Sequence, residues 1–261
     1  MKALVLLAFV AAPAVMLVCA CEHPGKPKPE PEVPRPEAVL SFDQLFGENC
    51  SGCHGAKGEF GSAAQLANPE YQALVDDATL SDTIAKGFKG TLMPAFGVSS
   101  GGNLTSQQID VLVQGMRARW RKPNAFGPGA SVSDPPPYRA AHQGDAGKGQ
   151  QVYAAACASC HGPDAQHPGK NGPILDGSFL ALINEQTIRT ILIAGRSDIG
   201  QPDWRNDVQG HPLTDDDISN VSAWLMAQKP LLPGQPYPNL YPTSQLPAEK
   251  RPRSVTGAEK R

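Results

Sequence analysis

Cys50-Ser51-Gly52-Cys53-His54 and Cys157-Ala158-Ser159-Cys160-His161 are two copies of one pattern, CxxCH. Two thiols three residues apart can each bond one vinyl group of a haem, and the adjacent histidine then reaches the iron as an axial ligand. The same residue types also suit zinc or redox-active thiols. A four-thiolate zinc site would need both copies side by side. They stand 107 residues apart, and each is followed by its own set of landmarks, which favours two separate haem attachments.

The landmarks around each copy repeat. Phe46-x3-Cys50 is answered by Tyr153-x3-Cys157. Gly87-x6-Pro94 recurs as Gly195-x6-Pro202 at a shift of 108, and Leu104-Thr105-x3-Ile109 recurs as Leu213-Thr214-x3-Ile218 at a shift of 109. Near-constant register of this kind marks an internal duplication. It predicts one domain over residues 38–125 and another over 141–230, joined by a Gly- and Pro-rich linker at 126–140.

The periodicity within each copy is helical. Ser41 to Cys53 reads as one helix with Ser41 as N-cap and Phe42, Leu45 and Phe46 on its apolar face. A short helix is expected around Pro69 to Val75, because proline suits a first helical turn. Another is expected from Leu80 to Lys86, capped by Ser81 or Thr79. Thr105 or Asn103 caps a last helix that buries Ile109, Leu112, Val113, Met116 and Trp120. Arg117, Arg119, Arg121 and Lys122 gather at its end, where cations favour the helix dipole. That cluster reads either as a docking face for an acidic partner or as a solvated helix end. The fold class is all-α, two tandem domains with Pro-rich flanks and linker.

Composition sets limits. The 261 residues carry a formal net charge of -2, so overall charge makes no case for nucleic-acid binding. Of six cysteines, four lie in the two motifs and two, Cys19 and Cys21, near the N-terminus, so no disulfide framework is available to the body of the chain. Each domain is small and poor in large aromatics. A haem at its centre would supply the missing apolar core.

Phe46-x3-Cys50-x2-Cys53-His54-Gly55, then Gly87-x5-Met93-Pro94, then an amphipathic helix, together resemble class I cytochrome c. The resemblance covers both domains and implies two covalently bound c-type haems, held through Cys50 and Cys53 and through Cys157 and Cys160. It implies His54 and His161 as axial iron ligands and Met93, whose thioether stabilises reduced iron, as the sixth ligand of the first haem. Asn171-Gly172-Pro173 resembles the loop whose proline carbonyl orients the ligating histidine, which points to Pro173 as the partner of His161. Ala64-Gln65-Leu66 lacks that Gly-Pro, and no such role is carried over to it. Gln201-Pro202 stands where the first domain has Met93-Pro94. Gln201 through its amide oxygen, His211, His167 or Met226 are the alternatives for the second iron, as is an open site. A hard ligand there implies a lower potential than the first haem's.

The function these residues imply is electron transfer, as a dihaem shuttle or as the cytochrome subunit of a respiratory or photosynthetic complex, with redox proteins as partners. The alternative is a haem enzyme acting on a small oxidant or donor at the second haem, with Asp203 and Arg205 near Gln201 to assist protons.

The ends carry export and tethering signals. Met1-Lys2 and the apolar run from Ala3 to Cys21 read as a secretory signal. Val18-Cys19-Ala20-Cys21 looks like a bacterial lipobox, which implies that residues 1–20 are removed and Cys21 is lipidated. An uncleaved span, weakened by Pro13, and an ordinary cleaved signal are the alternatives. All three export the haem domains, and lipidation would hold them at the periplasmic face of a bacterial membrane. Residues 21–37 form a Pro-rich spacer, with six prolines between 22 and 37, and should be extended. Residues 231–261 form a Pro-rich tail that wraps over the second domain, docks to a partner or stays disordered.

Overall fold

The computed structural model describes residues 33–127, 135–166, 169–205 and 211–229. The signal, Cys21, most of the spacer, His167 and the C-terminal tail lie outside the described residues. The chain divides into two units, Met1–Ala38 and Val39–Arg261. The described end of the first unit closes into a short 3-10 turn at Pro36–Ala38, so the segment read as extended is not extended throughout.

In the second unit, α1 spans Phe42–Asn49 and α2 spans Ser51–His54. The Ser41 hydroxyl accepts from the Gln44 N–H at 3.4 Å, as expected of an N-cap. The single helix expected to run to Cys53 is interrupted at Cys50, whose φ of -117° widens the turn before the backbone resumes. Next come α3 (Pro69–Leu74) and α4 (Asp77–Lys86). The cap of α4 is Asp76, neither Ser81 nor Thr79: its carboxylate accepts from the Thr79 N–H at 2.6 Å and starts the helix three residues earlier than expected. α5 (Ser106–Trp120) begins with a reciprocal capping box between Thr105 and Gln108.

The order then recurs as α6 (Ala146–Ala156), α7 (Ala158–His161), α8 (Gly177–Leu182), α9 (Glu185–Ala194) and α10 (Asp215–Ala227). Among the described residues there are no strands, only the isolated bridges Gly97–Leu104 and Arg196–Gln201. In each half the last helix crosses the helix that leads into the motif, α5 on α1 and α10 on α6. The second crossing is so close that a Cβ on Gly149 would stand 2.1 Å from the Asn220 carbonyl oxygen.

Two apolar clusters result. Phe42, Phe46, Leu80, Ile84, Leu112 and Met116 centre the first, and Tyr153, Leu180, Ile193, Trp204, Ile218 and Leu225 the second. Leu74 packs against both, and α3 lies against α9, so the two halves meet along one seam.

Buried arginines brace each half. Arg117 is 9% exposed and donates to Asp77 Oδ1 at 2.7 Å, the Gln72 carbonyl at 2.6 Å and the Val75 carbonyl at 2.6 Å. It therefore belongs neither to a docking face nor to a solvated helix end. Arg119, in contrast, lies at the surface, paired with Asp43 at 3.0 Å and stacked over Phe42. In the second half Arg189 binds Asp215, Ser219 and the carbonyls of Pro137 and Tyr138, fastening the incoming chain to α9 and α10.

Candidate functional site

The first motif sits where α1 gives way to α2, so Cys50, Cys53 and His54 ride on a short helical turn. Burial, reinforced by neighbouring Cys53, pushes the Cys50 thiol up to about 11. His54 Nδ1 lies 2.8 Å from the Ala64 carbonyl oxygen. A carbonyl can only accept, so this contact places the proton on Nδ1 and leaves the Nε2 lone pair for a metal. Burial pushes the His54 pKa below its ordinary value. The hydrogen bond to Ala64 opposes that shift and the positive charge of Arg196 adds to it. The neutral ring is the form that ligates.

The second motif repeats the arrangement at α7. His161 Nδ1 lies 3.0 Å from the Gly172 carbonyl oxygen, so the acceptor is Gly172 and not Pro173. Residues 64 and 172 are 108 apart, the same shift that relates Gly87 to Gly195. The orienting carbonyl is thus common to both halves, and the Gly-Pro pair is not what defines it.

The opposite wall is also duplicated. Gly87 has φ +74°, and a Cβ there would stand 2.8 Å from Pro94 C and Ala95 N. Gly195 has the same φ, and its Cβ would meet Gln201 O and Asp203 N at 3.0 Å. Each glycine lets the descending chain fold back against the end of a helix, α4 or α9, and that fold presents Met93 in one half and Gln201 in the other. Met93 is half-buried and packs against the first cluster, its N–H bonded to Thr91 Oγ1 at 3.1 Å. Gln201 Oε1 lies 3.3 Å from His161 Nε2, so the amide oxygen and the ring nitrogen left by the Gly172 contact face each other.

Other candidates fall elsewhere. His211 is exposed in the loop before α10, and Met226 packs at the edge of the second cluster. Arg205 is bound to Asp203, donates to the Phe126 carbonyl at 2.6 Å and lies over the Trp204 ring. That commits both charged groups to holding the loop.

The donor sets fit haem c. Each half offers a Cys pair and a histidine whose ring is pinned through Nδ1, and a glycine-hinged loop that carries a thioether or an amide oxygen. Ala64, Gly172 and Arg196 were not singled out by the sequence. The constant shift of 108 was the signal that could have found the first two.

A chain whose described residues are helical, with two such sites on duplicated class I cytochrome c folds, is a c-type cytochrome, and such domains carry covalently bound haem c. It belongs to the family described as cytochrome c oxidase, cbb3-type, subunit III, whose model matches twice, over residues 37–114 and 144–225. A 144-residue stretch is 29% identical to the cbb3-type cytochrome c oxidase subunit CcoP of Azospirillum sp. (strain B510). That match covers 49% of this chain and 41% of the relative, so less than half of the relative is represented. Among solved structures, a chain of the Kuenenia stuttgartiensis reducing HAO-like protein complex Kustc0457/Kustc0458 is 16% identical. It aligns over 77% of this chain and all of that one, with a TM-score of 0.42.

Proposed function

We propose that this protein is the dihaem electron-transfer subunit of a membrane oxidase complex of the cbb3 kind, with one haem in each half. The supporting observation is the duplicated pinning of the motif histidine, His54 to Ala64 and His161 to Gly172, opposite duplicated loops. Haem c supplies a one-electron ferrous/ferric couple. Cys50, Cys53, Cys157 and Cys160 would hold it covalently, and His54 with Met93 in one half and His161 with Gln201 in the other would ligate the iron. Ala64 and Gly172 each hold a proton on Nδ1, which leaves the Nε2 lone pair toward the iron and fixes the ring in rotation.

Among the described residues no helix is long and apolar enough to cross a membrane. Tethering through a lipid on Cys21, with the haem domains on the periplasmic side, is part of the same reading. The commitment of Asp203 and Arg205 to each other favours electron transfer over catalysis at the second site.

The test is a haem-to-protein ratio on the purified full chain, followed by a potentiometric titration with low-temperature EPR. Two haems with separate midpoints, the lower belonging to the site without methionine, are expected. One haem per chain, or two equal high midpoints, would overturn the reading. Replacement of Cys21 by Ser should release the protein from membranes. Unchanged membrane retention would refute the lipid tether.

A further inference from the structure

The seam between the halves is built at one place from the ligand loops themselves. Arg196 follows the hinge glycine of the second half and is buried. Its guanidinium forks onto the Asp198 carboxylate, Nε to Oδ1 and Nη2 to Oδ2, both at 2.8 Å. The remaining donors cross to the first half. Nη1 reaches the Ala63 carbonyl at 2.8 Å and Nη2 the Gly61 carbonyl at 3.0 Å. Asp198, whose side chain is fully buried, accepts from the Phe60 N–H at 2.8 Å, and Ser197 donates to Gln65 Oε1 at 3.3 Å.

Both ends of this junction lead to a haem site. Ala63 directly precedes Ala64, the acceptor of His54 Nδ1, and its own N–H is bonded to the Cys53 carbonyl at 2.9 Å. On the other side the Arg196 N–H donates to the Gln201 carbonyl and the Gln201 N–H to the Arg196 carbonyl, both at 3.0 Å. That reciprocal pair closes the turn that brings Gln201 to His161. A planar guanidinium with donors in fixed directions suits such a junction, since it satisfies a carboxylate and two carbonyls at once. A lysine ammonium would supply the charge without the fork.

We propose that Arg196 is a positioning residue shared by the two haem sites: its guanidinium holds the backbone that orients His54 and, through its fork onto Asp198, braces the turn that presents Gln201, so the ligand geometry of one haem depends on the other. The inference rests on the axial pairs assigned under Proposed function.

The experiment is low-temperature EPR of the oxidised full-length holoprotein, with a potentiometric titration, for the unsubstituted chain, R196Q, R196K and Q65A. R196Q should move the EPR signals of both haems and lower the first haem's midpoint, because a cation near that site disfavours ferric iron. R196K should keep most of the midpoint while both EPR signals remain displaced. Q65A loosens the same junction without changing charge, and should displace both signals less; it serves if R196Q does not accumulate. A change confined to one haem in R196Q, or unchanged signals in Q65A, overturns the shared role, and full recovery of both signals in R196K overturns the geometric account. An unsubstituted chain carrying a single haem would refute the underlying dihaem reading instead.

Discussion

Met93 and Gln201 stand in matched turns but carry different donor atoms, a polarisable sulfur and a hard amide oxygen. Under the proposed ligation, Gln201→Met should raise the lower midpoint and Met93→Gln should lower the higher one, because thioether favours ferrous iron and amide oxygen does not. A potentiometric titration reads both, and Gln201→Met protein with unchanged midpoints would remove Gln201 from the iron. The matched positions of the two side chains are legible in the sequence, because each stands six residues after its hinge glycine and directly before a proline. The carbonyls are not. The Gly172-Pro173 pair points to the proline, yet the oxygen that meets His161 belongs to Gly172. No proline follows Ala64, yet its oxygen meets His54. Every residue carries a carbonyl, and only the backbone path decides which one faces the ring.

Helices were placed well because their signals are local. Apolar spacing and the caps Ser41 and Thr105 lie within a turn of the boundary they define. At α4 the hydroxyls of Ser81 and Thr79 are the more obvious caps in sequence, and the Asp76 carboxylate upstream makes the contact instead. Arg117 differs for another reason. Its position on the last turn looks solvated in sequence, but α5 crosses the end of α3 there, and its donors meet Gln72 and Val75. Arg117→Gln should therefore cost about 2–3 kcal/mol, the scale for leaving buried carbonyls without their donor. Arg119→Ala, at the surface beside Asp43, should cost no more than about 1 kcal/mol. Urea denaturation of the holoprotein separates the two, and equal losses would refute the strut. The hinge glycines make a companion case. Gly87 has φ +74° and ψ 179°, a region almost closed to other residues, so Gly87→Ala should cost on the order of 1–3 kcal/mol. The same measurement reads it, and a cost near zero would mean the hinge accepts a Cβ.

At the scale of the molecule, the duplication announced two halves and was silent on how they join. The joining groups Phe60, Ala63, Arg196 and Asp198 lie in loops without periodicity, and their contacts span more than 130 positions. The seam has an acid sensitivity that follows from its buried carboxylate. The Arg196 fork, helped by the Phe60 N–H, holds Asp198 below the ordinary carboxylate range. A depressed folded-state pKa stabilises the fold above the unfolded value of 3.8 and loses that contribution as pH falls through the folded pKa. Its carboxylate faces the Arg196 guanidinium and the Phe60 backbone N–H. Urea midpoints of the full-length holoprotein between about pH 5 and pH 2 should therefore fall more steeply for the unsubstituted chain than for Asp198→Asn, which has no proton to take up at this site. The substituted protein should be the less stable of the two at pH 5, and the gap should narrow as the acid limit is approached. Parallel slopes would mean that Asp198 carries its charge no more favourably in the fold than in the unfolded chain, and the seam would then owe its hold to the backbone contacts alone.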